Sequence, residues 1–213
     1  MSLVEDVTAA FCRCLQVQAI ALDIQAAYDS VWKAGLLEKL VAKGVHGSLV
    51  SWVQSFLSGR HCILEVGASR VEVAPECGVP QGSPLSPTLF LVYIDDLLHR
   101  LAHWGQVHFQ AFANDVIIWV IGDFCAGVMD FGLQRALRIA EEWAAHWRLR
   151  FSPQKCECIC FSAANIRIQR EFDAQLYGEA LPHVHSLCHL GIWYNEHLTW
   201  DRHVREVVAH ARS

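Results

Sequence analysis

Two short stretches constrain this chain more than any others. One is Ala19-Ile20-Ala21-Leu22-Asp23, and the other is Phe112-Ala113-Asn114-Asp115-Val116-Ile117-Ile118. Each sets an acid at the edge of an apolar, strand-like run. A carboxylate in that position costs folding energy unless something binds it. Two of them, from distant parts of a chain, point to a divalent-metal site on adjacent strands. The second stretch carries a flaw: its first turn position is Asn114, where a metal site calls for an acid.

The periodicities around these stretches define an α+β chain. Val4 to Gln16 reads as a helix and Ala19 to Asp23 as a buried strand. A helix is expected from about Ala27 to Lys43, ended by Gly44, and a second from Ser48 to Leu57, ended by Gly59. Cys62 to Val66 and Arg70 to Val73, joined through Gly67-Ala68, read as a hairpin. Pro84 and Pro87 suit a helix entry, and Leu89, Val92, Tyr93, Leu97 and Leu101 follow at helical spacing. Val107, Phe109 and Ala111 alternate as in a strand, Asn114-Asp115 makes a turn, and Val116 to Ile121 returns. A long amphipathic helix runs from about Gly127 to Trp147, then a strand from Cys156 to Phe161. That order predicts an antiparallel sheet with helices packed on one face.

Composition bounds the function. The chain has 213 residues, 53% of them hydrophobic and 18% charged, so it is globular. Its longest strongly apolar run, Val116 to Ile121, is far shorter than the ~20 residues a membrane helix needs, so no membrane partner is expected. Met1 to Ala10 carries Glu5 and Asp6 and lacks the basic start of a secretory signal, so the chain is expected to be intracellular, with its nine cysteines reduced. A net charge of −5 and a pI near 6.2 weigh against a strongly basic nucleic-acid surface, although arginines such as Arg148, Arg150 and Arg202 are candidate backbone contacts.

Between the two acidic stretches lies Gly78-Val79-Pro80-Gln81-Gly82-Ser83-Pro84-Leu85-Ser86-Pro87. Downstream come Leu149-Arg150-Phe151-Ser152-Pro153-Gln154-Lys155, then Leu190-Gly191, Leu198-Thr199-Trp200 and His203. In this order the five motifs resemble the palm of reverse transcriptases, most closely those of non-LTR retrotransposons. The resemblance covers most of residues 15–205. It implies a reverse-transcriptase-like palm with fingers and thumb largely missing. Residues 1–163 are expected to be palm with a small part of the fingers, and 164–213 the end of the palm and the start of the thumb.

The resemblance also implies roles. Asp23 and Asp115 would bind two Mg²⁺ or Mn²⁺ ions, with Asn114 at the position where the family has the bridging acid. Tyr28 would abut the sugar of an incoming nucleotide and select against a 2′-hydroxyl. Ile24, Gln81 and Gly82 would contact the nucleotide, and Lys155 would assist departure of pyrophosphate. Gly78, Gly82 and Ser83 would let backbone approach the ligand closely. Asp29 suits the start of the following helix. The implied partners are an RNA template, a DNA primer and deoxynucleoside triphosphates, within a larger retroelement polyprotein.

Three readings compete. The first is template-directed transfer of deoxynucleotides to a primer 3′ end, impaired by Asn114. The second is a catalytically dead, nucleic-acid-binding relic, favoured by Asn114 and the acidic pI. The third is a zinc-binding module built from Cys156, Cys158, Cys160, His183, His185, Cys188 and His189, which lack C-x-x-C spacing. One decoy needs separating: Tyr93-Ile94-Asp95-Asp96 spells the Y-x-D-D box of reverse transcriptases, but helical spacing on both sides makes Asp95 and Asp96 surface helix residues without a catalytic role.

Overall fold

The computed structural model describes residues 2–67, 69–123, 128–164 and 172–212. Ala68, in the expected hairpin turn, and Gly127, at the expected start of the long helix, lie outside them. Helix α1 (Leu3–Cys12) is entered through a capping box, in which the Ser2 and Glu5 side chains each accept the other's backbone N–H. It stops four residues short of Gln16. Gln16 and Val17 open strand β1 (Gln16–Asp23), paired with Gly122 and Ile121, and sheet hydrogen bonds override the helical pattern there. Cys14, at φ 55°, makes the break.

Helix α2 (Lys33–Ala42) begins six residues later than Ala27, and α3 (Ser48–Leu57) follows. The segment before α2 is held out of a helix by tertiary bonds. Ile24 bridges Phe151, Gln25 N–H donates to the Arg150 carbonyl at 2.8 Å, and Gly78 and Val79 donate to Val31 and Tyr28, each at 2.8 Å. The hairpin β2 (Cys62–Val66) and β3 (Ser69–Val73) precedes α4 (Leu85–Trp104). Then come β4 (His108–Phe112), β5 (Asp115–Gly122), α5 (Val128–His146) and β6 (Glu157–Phe161). Two short hairpins, β7 (Gln175–Leu176) with β8 (Glu179–Ala180) and β9 (Ser186–His189) with β10 (Ile192–Asn195), lead to α6 (Asp201–Arg212).

Strands β4-β5-β1-β6 form an antiparallel sheet in that order. Period-2 alternation divides its side chains cleanly. Ile20, Leu22, Val116 and Ile118 face α4 and α5, where they meet Phe90, Tyr93, Leu133 and Leu137. Each fully buried side chain of this size stabilises the fold by about 1.5–3 kcal/mol. Val17, Ala19, Ile117 and Trp119 face the other way, under α1 and the β9–β10 hairpin. The helices on one face are those the sequence predicts, and α1 lies on the other. Among the described residues, no helix is long and apolar enough to cross a membrane.

A buried cation ties the helical layer together. Lys39 lies on the inner stripe of α2 with Leu36 and Leu40 and is 6% exposed. Its ammonium donates to the Asp96 carboxylate at 2.6 Å and to the Tyr93 carbonyl, and sits 3.7 Å from the Trp147 ring centroid. Trp143 Nε1–H, on α5, donates to the same Asp96 oxygen at 2.8 Å. Asp96 is therefore half-buried, with its carboxylate taken up by the helical layer. It clamps α2, α4 and α5 together. Desolvation pulls the Lys39 pKa down to about 8, against the pull of Asp96.

Candidate active site

The antiparallel register carries the site. On β1 and β5, Asp23 stands directly opposite Asp115, so their Cα atoms lie on the order of 5 Å apart and both side chains leave the same sheet face. Strand β5 reaches Asp115 through a two-residue turn, Ala113-Asn114, with Ala113 at φ 53°. That conformation disfavours a β-carbon, and an Asn or Gly is the usual occupant. Asn114 is half-buried in this turn.

The end of β1 is fixed from its other side. Ser152 N–H donates to the Asp23 carbonyl at 2.9 Å, and Asp23 N–H donates to Cys156 Sγ at 3.3 Å. The turn that follows, closed by Lys155 N–H to the Ser152 carbonyl at 3.0 Å, brings Lys155 to the same place. Asp23, Asp115 and Lys155 thus line one cleft of about 290 Å³, together with Glu157 and His189. The sequence reading named the first three and gave the last two no role here. Burial raises the Glu157 pKa, with Arg202 pulling it back. Burial lowers the His189 pKa, with Asp115 opposing.

A second cleft, of about 430 Å³, is lined by Tyr28, Gln81, Gly82 and Ser83. The Tyr28 ring packs on Phe90 with centroids 5.1 Å apart. Gln81 Nε2 donates to Asp29 Oδ2 at 2.8 Å, so Asp29 orients Gln81 instead of starting a helix, which begins only at Lys33. Gly82, at φ 84°, has open space where a β-carbon would stand. Gly78 packs against the backbone at Asp29. A β-carbon there would come within 2.8 Å of the Asp29 carbonyl oxygen, so Gly78 is needed for packing of the chain on itself. Ile24 is not brought to either cleft: its side chain is 3% exposed in the main core.

The cysteine and histidine clusters do not assemble. Among the described residues, no three His, Cys, Asp or Glu side chains are gathered as ligands of one ion. Burial pushes the thiol of Cys156 up to about 11 and those of Cys158 and Cys160 to about 12, which disfavours the thiolates that zinc requires. Three of the candidate arginines are stacked on rings, Arg148 on Trp32 at 4.2 Å, Arg150 on Tyr177 at 4.5 Å and Arg202 on Trp193 at 3.5 Å.

An antiparallel sheet with facing acids at the joined ends of two strands, a lysine beside them and a tyrosine-glutamine cleft nearby in sequence is the arrangement of a polymerase palm. The family described as reverse transcriptase (RNA-dependent DNA polymerase) matches residues 14–194, and the chain belongs to it. It is 32% identical over 189 residues to the RNA-directed DNA polymerase from mobile element jockey of Drosophila funebris, covering 86% of this chain and 20% of that protein. It is 27% identical over 219 residues to the probable RNA-directed DNA polymerase from transposon X-element of Drosophila melanogaster, covering 99% of this chain and 23% of that one. The chain therefore spans about a fifth of the length of these relatives. The structure of apo telomerase from Candida tropicalis is similar in fold, with a TM-score of 0.56 at 12% identity over 94% of this chain and 39% of that one.

Reverse transcriptases work with divalent metal ions. The donors at the strand ends fit a hard cation in type, since Asp23 and Asp115 offer carboxylate oxygens from one face. Asn114 offers only a neutral amide oxygen.

Proposed function

We propose that this domain transfers deoxynucleotides to a primer 3′ end on an RNA template, slowed by Asn114. The observation that carries the reading is the register that sets Asp23 opposite Asp115 with Lys155 in the same cleft. In the reaction the primer 3′ oxygen attacks the α-phosphorus, the new P–O bond forms, and the bond to pyrophosphate breaks. Asp23 and Asp115 would hold divalent ions, Mg²⁺ or Mn²⁺, which would supply charge neutralisation to the reaction. Lys155 presents an ammonium to the departing pyrophosphate. Tyr28 and Gln81 line the second cleft, with the Gln81 amide held by Asp29; there Tyr28 would close the sugar side and Gln81 would face the base pair.

Asn114 is the weak point. Removing one negative charge from beside two dications sacrifices part of the several kcal/mol that metal-ion catalysis supplies, and each ~1.4 kcal/mol is a tenfold loss of rate. The domain acts as part of a larger retroelement polyprotein, on RNA and DNA strands. The test uses a longer chain carrying the regions that flank this domain. Asn114→Asp should raise Mg²⁺-dependent incorporation of deoxynucleotides by orders of magnitude. Equal rates would show that Asn114 is an adequate ligand. A chain inactive in both forms, yet binding primer–template, would favour the relic, whose supporting observation is the acidic pI near 6.2.

A further inference from the structure

The loop that carries Gln81 is fixed by bonds from distant parts of the chain. Val79 N–H donates to the Tyr28 carbonyl and Gly78 N–H to the Val31 carbonyl, each at 2.8 Å. Beyond Gln81's other neighbour, the Ser86 hydroxyl donates to the Pro80 carbonyl. The segment facing this loop is held as firmly. Cys77 Sγ donates to the Asp29 carbonyl at 3.1 Å, and a β-carbon on Gly78 would stand 2.8 Å from that same oxygen. Two backbones clamped together bring the Asp29 and Gln81 side chains to one place, so ordering them costs less.

There Gln81 Nε2 donates to Asp29 Oδ2 at 2.8 Å. Chemistry admits only that orientation. The two ends of a glutamine amide are alike in shape, but one donates and the other accepts. An ionised carboxylate accepts and cannot donate, so it takes the nitrogen and leaves the oxygen. Among the described residues nothing donates to Gln81 Oε1. Gln81 lines the cleft of about 430 Å³ beside Tyr28, and Asp29 lies outside that lining.

We propose that Asp29 is a positioning residue for nucleotide choice: by fixing the Gln81 amide it makes the cleft wall beside Tyr28 a hydrogen-bond acceptor, which takes a donor of the incoming nucleotide. Ionised triphosphate oxygens do not donate, so that donor is a sugar hydroxyl or a base amine. Without Asp29 the amide turns freely and presents the wrong end part of the time. The proposal rests on the polymerase reading of this cleft and adds to it a residue that lies outside the cleft.

The test has two arms. In the 213-residue chain, NMR of the Gln81 side-chain amide should show one Nε2 proton shifted downfield and slow to exchange. In Asp29→Ala both protons should return to the positions of a free glutamine. The second arm uses the longer chain on an RNA template with a dideoxy-terminated DNA primer, so that nucleotide binding is measured in Mg²⁺ without turnover. Asp29→Ala should weaken binding of the matched deoxynucleotide about fivefold to tenfold, the worth of one hydrogen bond. In a Gln81→Met background the same substitution should cost nothing further. If the donor is the sugar hydroxyl, the loss is equal for all four bases and disappears with dideoxynucleotides. If it is a base amine, the loss spares thymidine triphosphate, which has none.

Circular-dichroism melts report that each variant is folded. A Gln81 amide that is free in the unaltered chain overturns the proposal. So does a loss that persists in Gln81→Met, or one that is the same for thymidine and dideoxynucleotides alike. If the longer chain holds nucleotide and Asp29→Ala leaves its affinity unchanged, this proposal alone falls. If the longer chain holds no nucleotide at all, it falls together with the polymerase reading, even where the amide is locked.

Discussion

The chain spells nearly the same acidic phrase twice, and the two copies serve different ends. Tyr93-Ile94-Asp95-Asp96 lies within α4, while Phe112-Ala113-Asn114-Asp115 closes a hairpin. The helical copy matches the family's box more closely in lettering. Yet Asp96 is taken up by Lys39 and Trp143, and Asp95 pairs with Lys43 and with His99 at 3.2 Å. Its charges are already neutralised by the protein itself. At the hairpin, Asp115 stands beside another carboxylate, Asp23, on the wall of a cleft. Charges left uncompensated by the fold are the ones available to a ligand. Partnership, not lettering, separates a structural acid from a catalytic one.

The sharpest way to break this comparison is through rate. In a longer chain carrying the flanking regions, Asn114→Asp should raise Mg²⁺-dependent incorporation by a few powers of ten. Asp95→Asn should leave it unchanged. Loss of activity in Asp95→Asn would move the active site into the helix and reverse the assignment.

Stability gives the next largest contrast. Asp96→Asn leaves the buried Lys39 ammonium without its counter-charge and should cost roughly 3 kcal/mol in urea unfolding. Asp115→Asn should instead be neutral or stabilise by up to ~1 kcal/mol, because it relieves two like charges placed directly opposite on neighbouring strands. A destabilising Asp115→Asn would mean that the hairpin acid, too, has a structural partner.

The pH dependence sharpens the helical side. The Lys39 pKa falls from 10.5 in the unfolded chain to about 8 in the fold. Within that window the unfolded chain holds the proton more tightly, so stability rises with pH. The gain is complete above 10.5 and lost as pH falls through about 8. Measured as the difference from Lys39→Met, which cancels the other titrating groups, wild type should gain about 1.4 kcal/mol per pH unit there. A flat difference would show that the buried ammonium is not the group strained by desolvation.

The smallest effect belongs to Asp95. Its pairs with Lys43 and His99 are solvent-accessible, and Asp95→Asn should change stability by under about 1 kcal/mol. A loss as large as that of Asp96→Asn would erase the distinction between the two residues of the helical pair.

Much of the site was legible in the chain. The alternation through Val107, Phe109 and Ala111, with its return from Val116, places Asn114 in the turn, and the strand ending at Asp23 reads directly from its apolar run. The α3 boundaries at Ser48 and Leu57 follow from helical spacing and Gly59. What escaped reading depended on partners far along the chain. Tyr28 and Val31 give their carbonyls to Val79 and Gly78, so α2 starts at Lys33 and Asp29 is free to meet Gln81. The inner stripe of α2 did carry a signal, since Lys39 falls between Leu36 and Leu40 on the buried side and so called for an acid nearby.

The sequence alone determined the strand and helix periods, the order of the motifs and hence the family, because these depend on local side-chain alternation and on residue identity. It also showed the defect at Asn114. Only the tertiary structure decided which carboxylates are occupied and which are open. Asp96 meets Lys39 from another helix, 57 residues away in the chain, and Glu157 comes to the face of Asp23 and Asp115 through its register with Ala21. The energy of a charge is set by what stands within a few ångströms of it, and that neighbourhood exists only once the strands and helices have packed.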